Sequence, residues 1–468
     1  MPLRISPTMP LGVALALAAS ACAPTVADLP TPGVVATRWD AGSPAAAATI
    51  GPDGFWQAMG DPALDAFIAR GLAHNVSLDI ALARVDQARA AARLARAALL
   101  PDVSANGGLT ARRLNDFNTA QYSSAPASAG IDVAWTLDLF GGARAGRRAA
   151  IDRYRAARLD AATAALLTEV EVARTFIQIA ALDDRDVVLG RSIGNARETL
   201  RIVDLRIAEG MTMAGERGVQ LVEVNRLAAQ RVQLRQARST AVSALAVLVG
   251  AEAPGFTVPP VSLMRLRVPA LALVQPAELL VRRPDVAAAE ARIAAARGDI
   301  RQARAAFLPT LRLSASGLAQ AVGLGGPLGT TLSAGAGLVA PIFAGGALRA
   351  RLDTTVAQRA EIVGDYRRTM LGALKDAVDG LAAQAGAEER YRLFAATLAA
   401  ARGASRVARD RYAEGEGDLP ALLDADRGVL AAEDGVVLAA QDRLSAAVDR
   451  YAAMGGRPDL SSDGPLRR

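Results

Sequence analysis

Cysteine and histidine, from which most metal sites and nucleophilic triads are built, occur once each in the 468 residues, as Cys22 and His74. A single thiol forms no intrachain disulfide, and one of each cannot supply the four ligands of a structural zinc site. A Ser-His-Asp or Cys-His arrangement would have to use His74, which stands beside Asn75 in a stretch that reads as a surface turn; an exposed polar residue is the reading that fits. Carboxylate pairs such as Glu388-Glu389 fall on polar helix faces, where they are solvated. The glycine-rich run 323–329 joins two strand-like segments and opens no helix, so it lacks the geometry of a phosphate cradle, and no Walker sequence is present. An exported hydrolase would have no nucleophile constellation to work with.

Cys22 carries different chemistry. Arg4 precedes the apolar run 11–19, which ends in Ser20-Ala21-Cys22. A charged segment, a short apolar segment and small residues make an export signal, and the apolar run is too short to span a bilayer. The cysteine directly after Ser-Ala resembles a bacterial lipobox, in which cleavage before the cysteine leaves it as a lipid-modified first residue. The alternative is a plain signal peptide with a chance cysteine. Ala19 stands where Leu, Val or Ile is commoner; Ala23, rather than Asp, implies transfer to the outer membrane. Residues 22–54, rich in Pro, Ala, Thr and Gly, read as an extended tether.

The chain is 51% hydrophobic but 4% aromatic, and much of the apolar content is alanine. That composition implies close, thin helix–helix seams rather than one bulky core. The net charge of +6 rests on arginines interleaved with Asp and Glu along helical stretches, which reads as solvated helix faces and not as a nucleic-acid surface. Three landmarks occur twice in the same order. The segment 95–101 (ARAALLP) returns at 303–309 (ARAAFLP), 139–142 (LFGG) returns at 342–346 (IFAGG), and 206–210 (RIAEG) returns at 411–415 (RYAEG). Each half reads helix, strand hairpin, very long helix, tight turn, helix. Apolar residues at helical spacing mark 62–99 as helical with a break at 74–77. No proline interrupts 146–208, a helix of about 90 Å at 1.5 Å per residue. Two heptad seams within it are out of phase, with the slip near Asp183-Asp184-Arg185-Asp186, where the helix should change neighbours. Residues 347–413 match it, and 218–249 and 420–453 are the return helices.

The strands alternate. Ile131, Val133, Trp135, Leu137 and Leu139 are separated by Asp132, Ala134, Thr136 and Asp138, giving one apolar and one polar or small face. Leu311, Leu313 and Ala315 alternate with Arg312, Ser314 and Ser316; 102–112 and 331–343 alternate more weakly. Each run has roughly the 9–11 residues that a tilted strand needs to cross a bilayer. Phe140, Phe307 and Phe343 at one end, with Phe117 and Tyr122 at the other, suggest sparse aromatic girdles. A soluble two-hairpin sheet is the competing reading. Four strands cannot close a barrel, and an open edge in lipid leaves backbone groups unpaired, so membrane strands would have to be pooled from two or more chains.

The arrangement resembles the TolC-like outer-membrane efflux factors, specifically their lipoprotein (NodT-type) branch. The resemblance rests on 279–293 (LLVRRPDVAAAEARI), running on through Phe307-Leu308-Pro309, together with Phe55-Trp56, Asp61-Pro62, Leu422-Leu423-Asp424-Ala425 with Arg427, and 451–456. It covers about 50–456. It implies a mainly α fold with a membrane β-barrel: a homotrimer whose twelve-stranded barrel continues into an α-helical periplasmic tunnel. It further implies a passive, non-enzymatic exit duct for small molecules such as drugs or toxic compounds, docked to a periplasmic adaptor and an inner-membrane RND-type transporter. No cofactor is implied beyond the covalent lipid on Cys22, and no nucleic-acid partner. Ile131, Val133, Trp135, Leu137 and Leu139 then face outer-membrane lipid. By the same resemblance Asp424 and Arg427 form a periplasmic gate, since a three-fold carboxylate ring would narrow a pore and favour cations; an ordinary i,i+3 helix pair is the plainer alternative. The turn 210–215 departs from the family's usual composition. The resulting division is signal peptide 1–21, tether 22–54, first repeat 55–255 with hairpin strands at about 102–140, linker 256–275, second repeat 276–456 with strands at about 309–343, and tail 457–468. A periplasmic coiled-coil adaptor or structural lipoprotein without a barrel is the alternative function.

Overall fold

The computed structural model describes residues 54–110, 112–114, 122–124, 126–271, 275–321 and 327–456. Cys22, the export signal, most of the tether, Phe117 and the tail lie outside the described residues. The elements run α1 (Phe55–Met59), α2 (Pro62–His74), α3 (Val76–Ala97), β1 (Asp102–Leu109), β2 (Arg112–Leu114), β3 (Tyr122–Ser124), β4 (Ala127–Leu137), α4 (Gly142–Ala208) and α5 (Ala214–Leu248). After a linker with one 3-10 turn come α6 (Pro276–Arg282), α7 (Pro284–Ala305), β5 (Thr310–Ala321), β6 (Leu328–Val339), α8 (Ala347–Glu414) and α9 (Leu419–Ala453). The fold is mainly helical, with a helix, hairpin, long helix, helix unit written twice.

Two compact units emerge, the first drawn from 84–157 and 288–368, the second from the described residues of 34–83, 158–287 and 369–468. The first holds a four-stranded antiparallel sheet in the order β1-β4-β5-β6. The central pairing, β4 with β5, joins the two repeats, with Trp135 opposite Leu313. Beside it α4 and α7 approach closely through small residues: a Cβ on Gly298 would lie 2.9 Å from the Ala145 carbonyl oxygen and from the Ala149 Cβ. Ile300, Ala303 and Leu352 form a small core there, with Phe307 packed against it. Phe307 therefore belongs to a helix core rather than to a girdle.

The second unit holds the largest core. Phe55 stacks on Tyr451 at 4.5 Å, and Trp56 meets both rings edge-on at 4.9 Å. At their centre Glu169, 1% exposed, accepts hydrogen bonds from Trp56 Nε1 (3.0 Å) and Tyr451 Oη (3.1 Å), tying α1, α4 and α9 together. Those partners offset the cost of burying a carboxylate.

The helical break falls on Asn75 alone. Its Oδ1 accepts from Ser77 N and Leu78 N, its Nδ2 donates to the Leu248 carbonyl, and His74 beside it is exposed. At the seam slip in α4, four successive side chains hold three neighbours. Asp183 accepts from Arg238 of α5 and from Val261 N; Asp184 takes Ser262 Oγ and Leu263 N of the linker. Arg185 holds Asp434 of α9, and Asp186 takes Arg231 and Arg235 of α5.

Candidate functional site

Two places could carry function: the sheet of the first unit, and the helix tips of the second.

The register separates the sheet into two faces. Directly opposed residues of antiparallel strands share a face. One face collects Val103, Val133, Ala315 and Ala334 in one row, Ala105, Ile131, Gly317 and Leu332 in another, and Trp135, Leu313 and Ala336 in a third. A fourth row is Leu137, Leu311 and Leu338. The other face collects Asp102, Ser104, Asn106, Asp132, Thr136, Arg312, Ser314, Ser316 and Ser333. Asn106 Nδ2 donates to Asp132, and the Ser316 and Ser333 hydroxyls meet at 2.7 Å. Every ionisable side chain of β1, β4, β5 and β6 therefore lies on one face, and the opposite face stays exposed, with Ile131 at 56% and Leu332 at 89%. A soluble sheet would bury such a face or make it polar.

The strand ends differ from the sequence expectation. β4 ends at Leu137, so Leu139 is not a strand residue. Asp138 does not face a lumen from the strand; its carboxylate accepts from Ala143 N, Arg144 N and Arg144 Nε and caps α4. A capping carboxylate has to leave the ladder to reach the helix's free N–H groups. β6 stops at Val339, before Pro341, which cannot donate to a ladder. Leu139, Phe140, Ile342 and Phe343 form exposed apolar ground just past these strand ends. Trp135 is half-buried, and its Nε1 donates to the Leu99 carbonyl at 3.1 Å. It sits at the helix-side end of the strand and not at mid-strand. The side chain of Tyr122 is not among those described.

At the tips, Gly210 and Gly415 take φ of 73° and 83° and close the turns after α4 and α8. Arg206 reaches across to the Tyr412 carbonyl and lies 4.3 Å over its ring, against a core of Val203, Leu419, Leu422 and Leu423. On α9 the two sequence-flagged residues do different things. Asp424 is exposed and has no ion pair among the described residues. Arg427 turns instead to Glu223 on α5, through Nη2 at 2.8 Å and Nε at 3.2 Å. Glu223 also pairs with Arg226. Hydrogen bonds from Arg226, then Arg427, hold its carboxyl below the ordinary glutamate value, against the opposing effect of burial. The simple Asp424–Arg427 helix pair is thus not formed. Asp426 accepts from Ser405 and Arg409, and Asp418 caps α9 through Ala421 N. Sequence reasoning missed Glu223. The signal was its place beside the seam of Gln220, Val224 and Leu227, where a carboxylate needs a partner.

Among the described residues no group of His, Cys, Asp and Glu could hold a metal ion, and no helix is long and apolar enough to cross a membrane. The second statement says nothing of strands.

An antiparallel sheet with one uncharged face, in a chain that also carries two pairs of long helices, fits a membrane protein anchored by strands. The chain belongs to the outer membrane efflux protein family, which it matches over residues 68–251 and 276–456. It is 33% identical over 425 residues to the pyoverdine export outer membrane protein OpmQ of Pseudomonas aeruginosa, covering 88% of this chain and 89% of that one. Among solved structures it superposes on the outer-membrane channel OprN with a TM-score of 0.84 at 25% identity, covering 93% of this chain and 99% of that one. It superposes on the open-state MtrE channel of Neisseria gonorrhoeae with a TM-score of 0.81 at 26% identity, covering 92% and 98%. The chain is an outer-membrane efflux channel, a non-enzymatic transport protein of TolC-like fold, and not a periplasmic adaptor.

Proposed function

We propose that three copies of this chain form the exit duct of a tripartite pump, anchored in the outer membrane by twelve pooled strands and by a lipid on Cys22. The sheet carries the reading. Within one chain it ends at β1 and β6, whose outer edges have no partner among the described residues, while its apolar face suits lipid and its polar face suits water. Ile131, Val133, Trp135 and Leu137 face lipid, and Asp132 and Thr136 face the lumen. The α4/α5 and α8/α9 hairpins reach into the periplasm and dock an adaptor, which couples the duct to an inner-membrane RND-type transporter. Asp424 and Arg427 lie at the periplasmic entrance. Because Asp424 is exposed while Arg427 is engaged by Glu223, the carboxylates are the groups free to line the aperture, and the Glu223–Arg427 pair holds the inner hairpin against its neighbour. The cargo is a small molecule, as are the pyoverdine, antibiotics and toluene that the relatives' names record.

The decisive experiment reconstitutes the purified chain in planar bilayers and measures its mass in detergent. Discrete ion-conducting steps from a three-chain particle support the reading. A monomer that conducts nothing and leaves outer membranes in alkaline carbonate without detergent rejects it.

A further inference from the structure

The two tip turns share one backbone and differ in chemistry. In the first repeat Gly210 N donates to the Ile207 carbonyl and Met211 N to the Arg206 carbonyl; in the second, Gly415 N donates to Tyr412 and Glu416 N to Arg411. These are the same bonds at the same places in the repeat, so Met211 occupies the position of Glu416, and Met213 that of Asp418. Asp418 is the N-cap of α9 and binds Ala421 N at 2.9 Å. Met213 is the N-cap of α5 and makes no side-chain cap bond. An apolar residue there forgoes the stabilisation that a capping side chain gives a helix. It gains no packing in return, since Met211 is 68% and Met213 83% exposed. Methionines Met59, Met370 and Met454, by contrast, are buried.

We infer that Met211 and Met213 are an oxidation-sensitive modification site at the periplasmic tip of the first hairpin. An exposed thioether is attacked by two-electron oxidants such as hypochlorous acid. The sulfur loses two electrons and gains the oxygen, the chlorine leaves as chloride, and the hydroxyl proton is released. Each product is a sulfoxide, which converts a polarizable apolar side chain into a strong hydrogen-bond acceptor. The first tip then takes on the polar character that Glu416 and Asp418 already give the second. The inference rests, for its consequence, on the reading that these tips dock a partner: oxidation removes the apolar half of the docking surface and lowers export under oxidant stress.

The chain itself supplies the control. Cleavage after Arg and Lys releases Ile207–Arg217 with both tip methionines and Thr369–Lys375 with buried Met370. Outer membranes containing the full chain are titrated with hypochlorous acid and the two peptides weighed. The tip peptide is expected to gain two oxygen atoms before the Met370 peptide gains one; equal rates overturn the modification site. Export is then compared in cells carrying the wild type, M211L/M213L or M211Q/M213Q, with M264L controlling for exposed Met264. The leucine variant is expected to keep export after a hypochlorous acid pulse that lowers the wild type, and the glutamine variant to be low without it. A glutamine variant that exports like the leucine variant overturns the switch. Absence of export from the untreated wild type overturns the channel reading instead, because the peptide masses do not depend on it.

Discussion

Arg427 on α9 grips Glu223 on α5, 204 positions earlier in the chain, and leaves Asp424 one turn away to act on it only through space. The pair links the return helix of one repeat to that of the other. Since Arg226 and Arg427 both depress the Glu223 carboxyl, its contribution is complete above the ordinary glutamate range, about 4.3, and is lost as pH falls through the depressed value. Glu223→Gln is expected to cost about 1 kcal/mol at pH 7, discounted because Arg427 is half exposed. The difference between wild type and variant should begin to shrink in thermal melts below the ordinary glutamate value and vanish only once pH is below the depressed folded value. A difference that persists there would mean packing, not charge, sets the cost.

Asp424 carries a different expectation. Asp424→Ala should leave the Glu223–Arg427 pair in place and reduce cation preference in single-channel recordings. Adding Arg427→Ala should widen the aperture as well, without strict additivity. Unchanged conductance and selectivity in the double variant would place the constriction elsewhere.

Along β4 the cost of a charge should track position. Ile131→Arg, well inside the strand, should cost about 2–4 kcal/mol of barrel stability, and Trp135→Arg, at the helix-side end, about 0–1 kcal/mol from the lipid term. Cysteines placed at 132 and 136 should react with water-soluble maleimides. Labelling by lipophilic reagents alone would invert the register.

Gly250 sits at φ 65°, and a Cβ on it would lie 2.0 Å from the His74 carbonyl oxygen. Gly250→Ala is expected to cost about 3 kcal/mol, as both the backbone conformation and the contact with α2 are lost. Circular-dichroism melts of the purified chain would register it.

Cys22→Ser should yield a mature chain without lipid, read directly by mass spectrometry, while assembly through the strands persists. An unmodified residue 22 in the wild type would rule out the anchor.

The repeat, the long helices and the return helices were legible because apolar spacing and the absence of proline act locally. The strand ends were not. Asp138 and Leu139 continue the alternation of β4, but Asp138 is recruited by the N–H groups of α4, a competitor that periodicity does not register. Likewise Ile342 and Phe343 look like strand residues and lie beyond Pro341. The slip at 183–186 was visible as a phase change, yet its purpose needed three dimensions: consecutive residues on a helix point about 100° apart, and here they reach α5, the linker and α9. The Glu223–Arg427 pair was illegible because a helix seam shows that a charge needs a partner without naming it.

The bare outer edges of β1 and β6 constrain how the molecule comes into being. Among the described residues a lone copy offers two rows of unanswered amide groups beside an uncharged face, an arrangement that suits neither lipid nor water. For the proposed three-chain barrel, insertion and oligomerisation would then be a single event, with a rate that rises faster than linearly with the supply of new chains. In such a ring each copy seals the edges of its neighbours, so the weakest copy sets the integrity of the whole.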